Sequence, residues 1–350
     1  MTTNEFAVVG DLHKGIGSGR FLEEQIMFHV KHFIPYLQER GIKTIVFLGD
    51  IFDNRKQLDV FMLNRVLELF DLYESLGFDI RIIIGNHDTN LKNTNAVNSL
   101  KTLKKYSNVK IYEEITQDKI GDLECLFVPW QYDLNQYIEY VNSNILDHIQ
   151  VSFGHFDIIN AMMNRQTASK VGFKREDIMK FPVVYSGHYH SRSVSKMNDS
   201  TLIYTGTPYE LNRGDMGEDK GFYIQKYSGN TLLESEFIPN TYSPRFIEIV
   251  YPQEVTSELV KNNIVDMVYS EKDDVDEIQK FKEKIASFEP FSTFPKMLSV
   301  AELEGVGEIK FTNVRQIFEE YIEQLTVDEE IRPQFIETVK QSFETNYSEA

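Results

Sequence analysis

The sequence predicts a layered α/β fold. Short apolar runs alternate with helix-period segments from Phe6 to about Phe237, glycines punctuate the runs, and five runs pass directly into clusters of Asp, Asn and His. The runs that read as buried strands are Phe6–Val9, Thr44–Leu48, Asp79–Ile84, Leu123–Val128, Gln150–Phe153 and Val183–Tyr185. Between the first two, Leu22, Ile26, Val30, Phe33 and Leu37 recur at helical spacing before Gly41, with Pro35 placed to kink the end. A second helix is expected over Val60–Leu76, with Leu63, Leu67 and Phe70 inward. After Asn240 the punctuation changes. Phe246–Tyr251, Ile264–Tyr269 and Lys296–Val300 read as strands, Val275–Phe288 as a helix, and the chain from Asn313 on as two short amphipathic helices. One stripe holds Ile317, Phe318, Tyr321 and Ile322, and the second holds Phe335, Val339 and Phe343.

At 350 residues, 41% apolar and 13% aromatic, the chain is too apolar for disorder. No apolar run approaches the ~18 residues of a membrane helix, and Met1–Val9 lacks the pattern of a secretion signal, so a cytoplasmic protein is expected. The net charge of −18 argues against coating nucleic acid by bulk electrostatics. The charge is uneven, because residues 241–350 hold 23 acidic and 11 basic residues. One cysteine, Cys125, excludes an intramolecular disulfide or a thiolate zinc cluster, so any metal must be held by imidazole, carboxylate and amide groups.

The chemistry concentrates at the strand ends. Asp11 and His13 follow the first run, Asp50 and Asp53 the second, and Asn86, His87 and Asp88 the third. His155 follows Gly154, and His188 and His190 follow Gly187. The carboxyl ends of strands in an open α/β sheet share one edge, so these segments should converge. A lone His after a strand is ordinarily a satisfied polar residue, but five such clusters in order are not accounted for that way. His, Asp and Asn without thiolate suit two borderline or hard divalent cations, and one Asp can bridge them. That arrangement clamps the oxygens of an in-line phosphoryl displacement, so the site reads as a phosphoester hydrolase.

Asp11-x-His13, Gly49-Asp50-x-x-Asp53, Gly85-Asn86-His87-Asp88, Gly154-His155 and Gly187-His188-x-His190 resemble the calcineurin-like metallophosphoesterase signature motif by motif. With Tyr204-Thr-Gly-Thr-Pro208, Gly221-Phe222 and Phe237-Ile-Pro-Asn240, the chain looks like the SbcD / meiotic-recombination-eleven nucleases, particularly the recombination endonuclease subunits of tailed phages. The resemblance implies a metallophosphoesterase β-sandwich flanked by helices over 1–240, a small α/β capping domain over 241–307 that positions DNA, and a helical tail over 308–350 that binds an SMC-like ATPase of the SbcC/Rad-fifty type. It implies two divalent ions, manganese foremost: Asp11, His13 and His190 on one, Asn86, His155 and His188 on the other, and Asp50 between. His87 would face the scissile phosphate and protonate the leaving oxygen, with Asp88 orienting its ring. Asp53, where many nuclease relatives have His, and Arg55 would contact substrate. A homodimer through helices of the catalytic domain is also implied. Two other readings compete: a stand-alone phosphodiesterase or phosphatase for small molecules, and a scaffold that has lost activity.

Other residues have plainer readings. His29 and His32 are expected to be partly buried or at the surface, His148 in a loop, and Cys125 a small buried hydrophobe. Trp130 reads as a core or interface anchor, with base stacking as the alternative. Arg165, Lys170, Lys174, Arg175 and Lys180 form a locally basic stretch, a solvated face by default and a phosphate contact otherwise.

Overall fold

The computed structural model describes residues 3–91, 93–162 and 167–298. The expected terminal helices, the residues 299–300 of the last expected strand, and Arg165 lie outside them. In chain order the strands are β1 (Thr3–Val9), β2 (Thr44–Phe47), β3 (Asp79–Ile83), β4 (Val109–Tyr112), β5 (Thr116–Ile120), β6 (Leu123–Val128), β7 (Val151–His155), β8 (Val183–Gly187), β9 (Ser193–Met197), β10 (Ser200–Tyr204), β11 (Gly221–Ser228), β12 (Thr231–Pro239), β13 (Phe246–Val250), β14 (Ile264–Ser270) and β15 (Ser292–Leu298). The helices are α1 (Gly19–Phe28), α2 (Ile34–Glu39), α3 (Val60–Ser75), α4 (Leu134–Ser143), α5 (Arg175–Ile178), α6 (Ser257–Val260) and α7 (Val275–Ser287).

Two six-stranded sheets form, in the orders β12-β11-β1-β2-β3-β4 and β5-β6-β7-β8-β10-β9. Within the first, β1 through β4 run parallel; within the second, β6, β7, β8 and β10 do. The sheets face each other. Phe6, Val8, Val46, Leu48 and Ile83 of the first share one buried cluster with Leu123, Cys125, Phe127, Val151, Phe153 and Tyr185 of the second. Tyr112 stacks on Phe127 across this layer at 3.9 Å between centroids, and Phe127 on Phe153 at 5.1 Å. Such pairs contribute about 0.5–1.5 kcal/mol each beyond their buried area. The outer face of the first sheet is covered by α1, α2 and α3, and that of the second by α4 and the segments around Phe156, Phe173 and Ile178. The result is a helix–sheet–sheet–helix sandwich. A separate three-stranded sheet, β13-β14-β15, follows Asn240. The chain divides into two compact units, 1–268 with 275–296, and 269–274 with 297–350.

The helices depart from expectation in two places. The first is continuous in path, but His29–Phe33 forms a π-helical segment between α1 and α2. Pro35 has no N–H for the carbonyl four residues back, and the helix widens before it. His29 is wholly buried, not partly, and its Nδ1 shares a hydrogen bond with the Tyr73 hydroxyl at 2.8 Å. In α3, capped by the Asp59 carboxylate on Met62 N–H, the buried residues are Met62, Val66, Leu69, Phe70 and Tyr73, whereas Leu63 and Leu67 are half-buried. The Tyr73–His29 bond lies on the buried face and holds that side of the helix inward.

Candidate metal centre

Both sheets end on the same edge. From the first come the loops after β1, β2 and β3, carrying Asp11 and His13, Asp50 and Asp53, and Asn86 to Asp88; from the second come His155 at the end of β7 and His188 and His190 after β8. Hydrogen bonds lace the two together here. Asp11 carboxylate accepts from His188 N–H at 2.9 Å, His155 Nδ1 bonds to the Leu48 carbonyl at 2.7 Å, and Trp130 N–H donates to Ile84 at 2.8 Å. Two glycines make the approach feasible. Gly49 sits at φ +96°, and a Cβ there would fall 2.6 Å from Gly85 N and 2.8 Å from His155 Nδ1; a Cβ on Gly187 would fall 2.4 Å from the Asp11 carboxylate. Three donors, His13, Asp50 and His188, also hold left-handed backbone, at φ 43°, 48° and 87°. That conformation is costly for side-chain-bearing residues and persists where surroundings over-determine it.

Asp50 stands at the middle. Its Oδ2 lies 3.8 Å from His13 Nε2 and 3.4 Å from His155 Nε2. On one side Asp11, His13 and His190 bring a donor atom each within 4.8 Å of one another, and the two histidines face through Nε2 atoms 3.1 Å apart. On the other, Asn86 Oδ1 is 2.9 Å from both His155 Nε2 and His188 Nδ1. The bond to Leu48 places a proton on His155 Nδ1, so in the neutral ring the Nε2 lone pair points among oxygen acceptors. Lone pairs converging at such distances repel unless a cation or proton sits among them, so the donor set fits divalent metal. It contains no sulfur and mixes imidazole with oxygen, as borderline to hard ions require.

The electrostatics follow from that crowding. Burial opposes ionisation of Asp50, but the charges of His155, His13 and His87 outweigh it and hold its carboxyl far below the usual range. Burial, reinforced by Asp50, lifts Asp11 to about 7 against the pull of His155 and His13. His155 moves the other way: burial disfavours its charge, yet Asp50 beside Nε2 pushes it up to about 9. Burial lowers His188 to about 3 and His190 to about 4, helped by the neighbouring imidazoles His155 and His13 respectively.

Asp88 takes a place other than the one expected, and Asp53 has a partner that the sequence did not point to. Asp53 Oδ1 accepts from His13 Nδ1 at 3.0 Å, which leaves His13 Nε2 for a metal, so this carboxylate steers a donor ring. His87 Nδ1 bonds to the Asp53 backbone carbonyl at 2.6 Å. The His87 ring is therefore oriented by Asp53 and not by Asp88. Asp88 is buried, and its carboxylate accepts from the N–H groups of Ile51, Phe52 and Gly85, tying the Asp50 loop to the Asn86 loop. Sequence adjacency to His87 hid this, because a carboxylate after a tight turn reaches backbone amides more readily than the neighbouring ring. Arg55 is exposed, and its charge is felt at His87.

Trp130 is expected from the sequence as a core or interface anchor, with base stacking as the alternative. Its ring lies 5.1 Å from that of His188 and 5.9 Å from that of His155, at the border of the centre. The signal was its place after Leu123–Val128, the one of the six expected front strands without a polar cluster. His148 is an exposed loop residue, and Cys125 is buried, its thiol pushed up to about 12 by burial.

The chain is 26% identical over 323 residues to exonuclease subunit 1 of Enterobacteria phage T4, an alignment that covers 90% of this chain and 91% of that protein. Among solved structures it is similar to GAP50, the anchor in the inner membrane complex of Plasmodium, with a TM-score of 0.41 and 17% identity over 69% of this chain and 86% of that one. A conserved protein of Streptococcus pneumoniae TIGR4 gives a TM-score of 0.32 and 13% identity over 69% of this chain and 92% of its own. The calcineurin-like phosphoesterase family matches residues 5–199. Since that match takes in every strand-end cluster from Asp11 to His190, the chain belongs to the calcineurin-like phosphoesterase family.

Proposed function

We propose that the protein is a manganese-dependent DNA nuclease, the catalytic subunit of a complex with an SMC-like ATPase of the SbcC/Rad-fifty type, working in recombination, repair or replication in the cytoplasm of a host cell. The observation that carries the reading is the single Asp50 oxygen lying 3.8 Å and 3.4 Å from imidazoles of two separate donor sets. Asp11, His13 and His190 would hold one cation and Asn86, His155 and His188 the other, with Asp50 available to both. Bound there, two such cations polarise a phosphodiester and acidify water. The chain supplies the rest. Asp53 keeps His13 Nε2 turned to its cation, and through its carbonyl keeps the His87 ring in place. With Nδ1 so engaged, His87 presents Nε2 to the phosphate, where the protonated ring gives its proton to the leaving oxygen. Burial holds His87 below its ordinary pKa, and an arriving anion raises it. Arg55 offers a positive charge to the strand, and Asp88 fixes the two loops.

The exonuclease name of the phage relative, and alignment over nine-tenths of both chains, favour a DNA substrate over a small diester. In this reading residues 241–307 position DNA, residues 308–350 bind the ATPase, and the catalytic domain pairs with a second copy. Among the described residues no helix is long and apolar enough to cross a membrane. The test is incubation of the purified chain with manganese and end-labelled single- and double-stranded DNA, with and without the ATPase and ATP. Hydrolysis of nitrophenyl diesters without any cut in DNA would favour the small-molecule reading.

A further inference from the structure

We propose that a cleft beside the metal centre is a subsite for one unstacked nucleobase of the strand being cut, an inference that rests on the nuclease reading. The cleft, about 740 Å³, lies between the loop at 94–96, which follows the Asn86 motif, and the loop at 130–133, which follows β6, with α4 along its side. Trp130 lines it, and the same ring is 5.1 Å from His188. The cleft thus starts where the candidate metal donors stop, one side chain from His188.

Three properties point to a base. Trp130, Tyr132 and Tyr140 line the cleft as aromatic faces, Tyr132 and Trp130 standing at 87° to each other. Their positions are held. Tyr132 shares a hydrogen bond with Thr89, and Tyr140 accepts one from Gln117 at 3.3 Å. Every base has a π-face that such rings accept, whatever its sequence.

Asn95 supplies the second property. Its Nδ2 donates to the carbonyls of Trp130 at 3.0 Å and Glu113 at 3.4 Å, which settles which end of the amide is oxygen. Oδ1 is buried and has no hydrogen-bond partner among the described residues. A buried acceptor left unpaired is costly, and the exocyclic amino group of adenine, cytosine or guanine is the donor it lacks. An apolar occupant would leave it unpaired.

The third is charge. Glu113, Glu114 and Asp133 stand in the walls, with Lys101 the cation among the lining residues. A phosphate is repelled from such a cleft, whereas a neutral base is not. The backbone therefore stays at the metals while the base turns in.

The chain has one tryptophan, so fluorescence excited where tyrosine does not absorb reports on Trp130, at the junction of this cleft and the metal centre, and the abasic strand controls for events at the metal centre. Full-length protein without metal is titrated with a single-stranded oligonucleotide carrying a distant dye for anisotropy, and with its fully abasic counterpart of equal charge. The intact strand should quench Trp130 and bind about 5- to 150-fold tighter than the abasic one, the worth of one stacked base. Equal quenching by both, or none by either, overturns the base subsite. Manganese cleavage of the intact strand separates the two readings. Cutting without base-dependent quenching leaves the nuclease and removes the subsite, whereas quenching without cutting leaves the subsite and removes the nuclease.

Discussion

Replacing Asp53 by Ala isolates the contact that holds His13. The carboxylate accepts from His13 Nδ1 at 3.0 Å, and the histidine side chain is 2% exposed against 32% for the aspartate. Removal leaves a buried ring N–H that water reaches only from the aspartate side. An unpaired buried donor costs about 1–3 kcal/mol. Removing a carboxylate that orients a metal-binding histidine lowers metal affinity by about 10- to 100-fold, or about 1.4–2.7 kcal/mol. The first is a loss of fold stability, and the second is the loss of metal affinity. Asp53→Ala should therefore weaken one of two manganese sites by that factor and leave the site built on Asn86, His155 and His188 near its original affinity. Asp53→Asn keeps an acceptor oxygen but loses the charge that strengthens the bond, so it should fall between. Calorimetric titration of manganese into each protein reads both sites. If both affinities in Asp53→Ala equal those of the parent and only KM for DNA rises, Asp53 contacts substrate and the steering role is refuted.

Three further outcomes follow from the same geometry. Asp50→Asn removes the charge shared by both donor sets, so elemental analysis should find both metals depleted and cleavage abolished; two tightly held ions per mutant chain would contradict the bridge. His87→Ala should keep its metals and lose roughly 10²- to 10⁴-fold in DNA cleavage, with a much smaller loss on a nitrophenyl diester whose leaving group scarcely needs a proton. Equal losses on both substrates would exclude the acid role. Metal uptake should also release protons. His155, at about 9 without metal, is charged at pH 7 and must become neutral to ligate, so apparent affinity climbs as pH rises toward 9 and then levels. Calorimetry in buffers of different ionisation enthalpy should count about one proton or more released at pH 7, and a count of zero would refute it.

Six interior strands, β1, β2, β3, β6, β7 and β8, were legible in the sequence as short, mainly apolar runs, whereas the interior strands β10 and β11 were not. Residues 44–47 and 151–155 lie between a helix layer and a second sheet, and Thr44–Leu48 and Gln150–Phe153 accordingly read as buried runs. The edge strands β5 and β9 were not legible either. Residues 116–120, Thr-Gln-Asp-Lys-Ile, and 193–197, Ser-Val-Ser-Lys-Met, are half-exposed and owe their form to one neighbour each. Nothing local distinguishes them from loops. The site shows the same division. Which residues converge could be read from their places after strands, but which atom each would touch could not. Asp53 reaches His13 forty positions away, and Asp88 turns from its neighbour to backbone amides, because both contacts depend on how two loops nest.

That nesting explains why the centre needs two sheets. A single parallel sheet presents a row of loops, and neighbouring strands lie about 4.8 Å apart, so donors from its ends spread along a line. Asp50, from the first sheet, instead meets His155, from the second, at 3.4 Å. The facing sheets bring donors from above and below onto one point, and the Leu48–His155 and Asp11–His188 bonds fix their separation. The same groups that bind the sheets at this edge also aim the ligands. A side chain at Gly49 would press on His155 and one at Gly187 on Asp11, and because each donor set draws on both sheets, loosening this edge pulls both sets apart, so metal binding becomes the most sensitive measure of how well the sandwich closes.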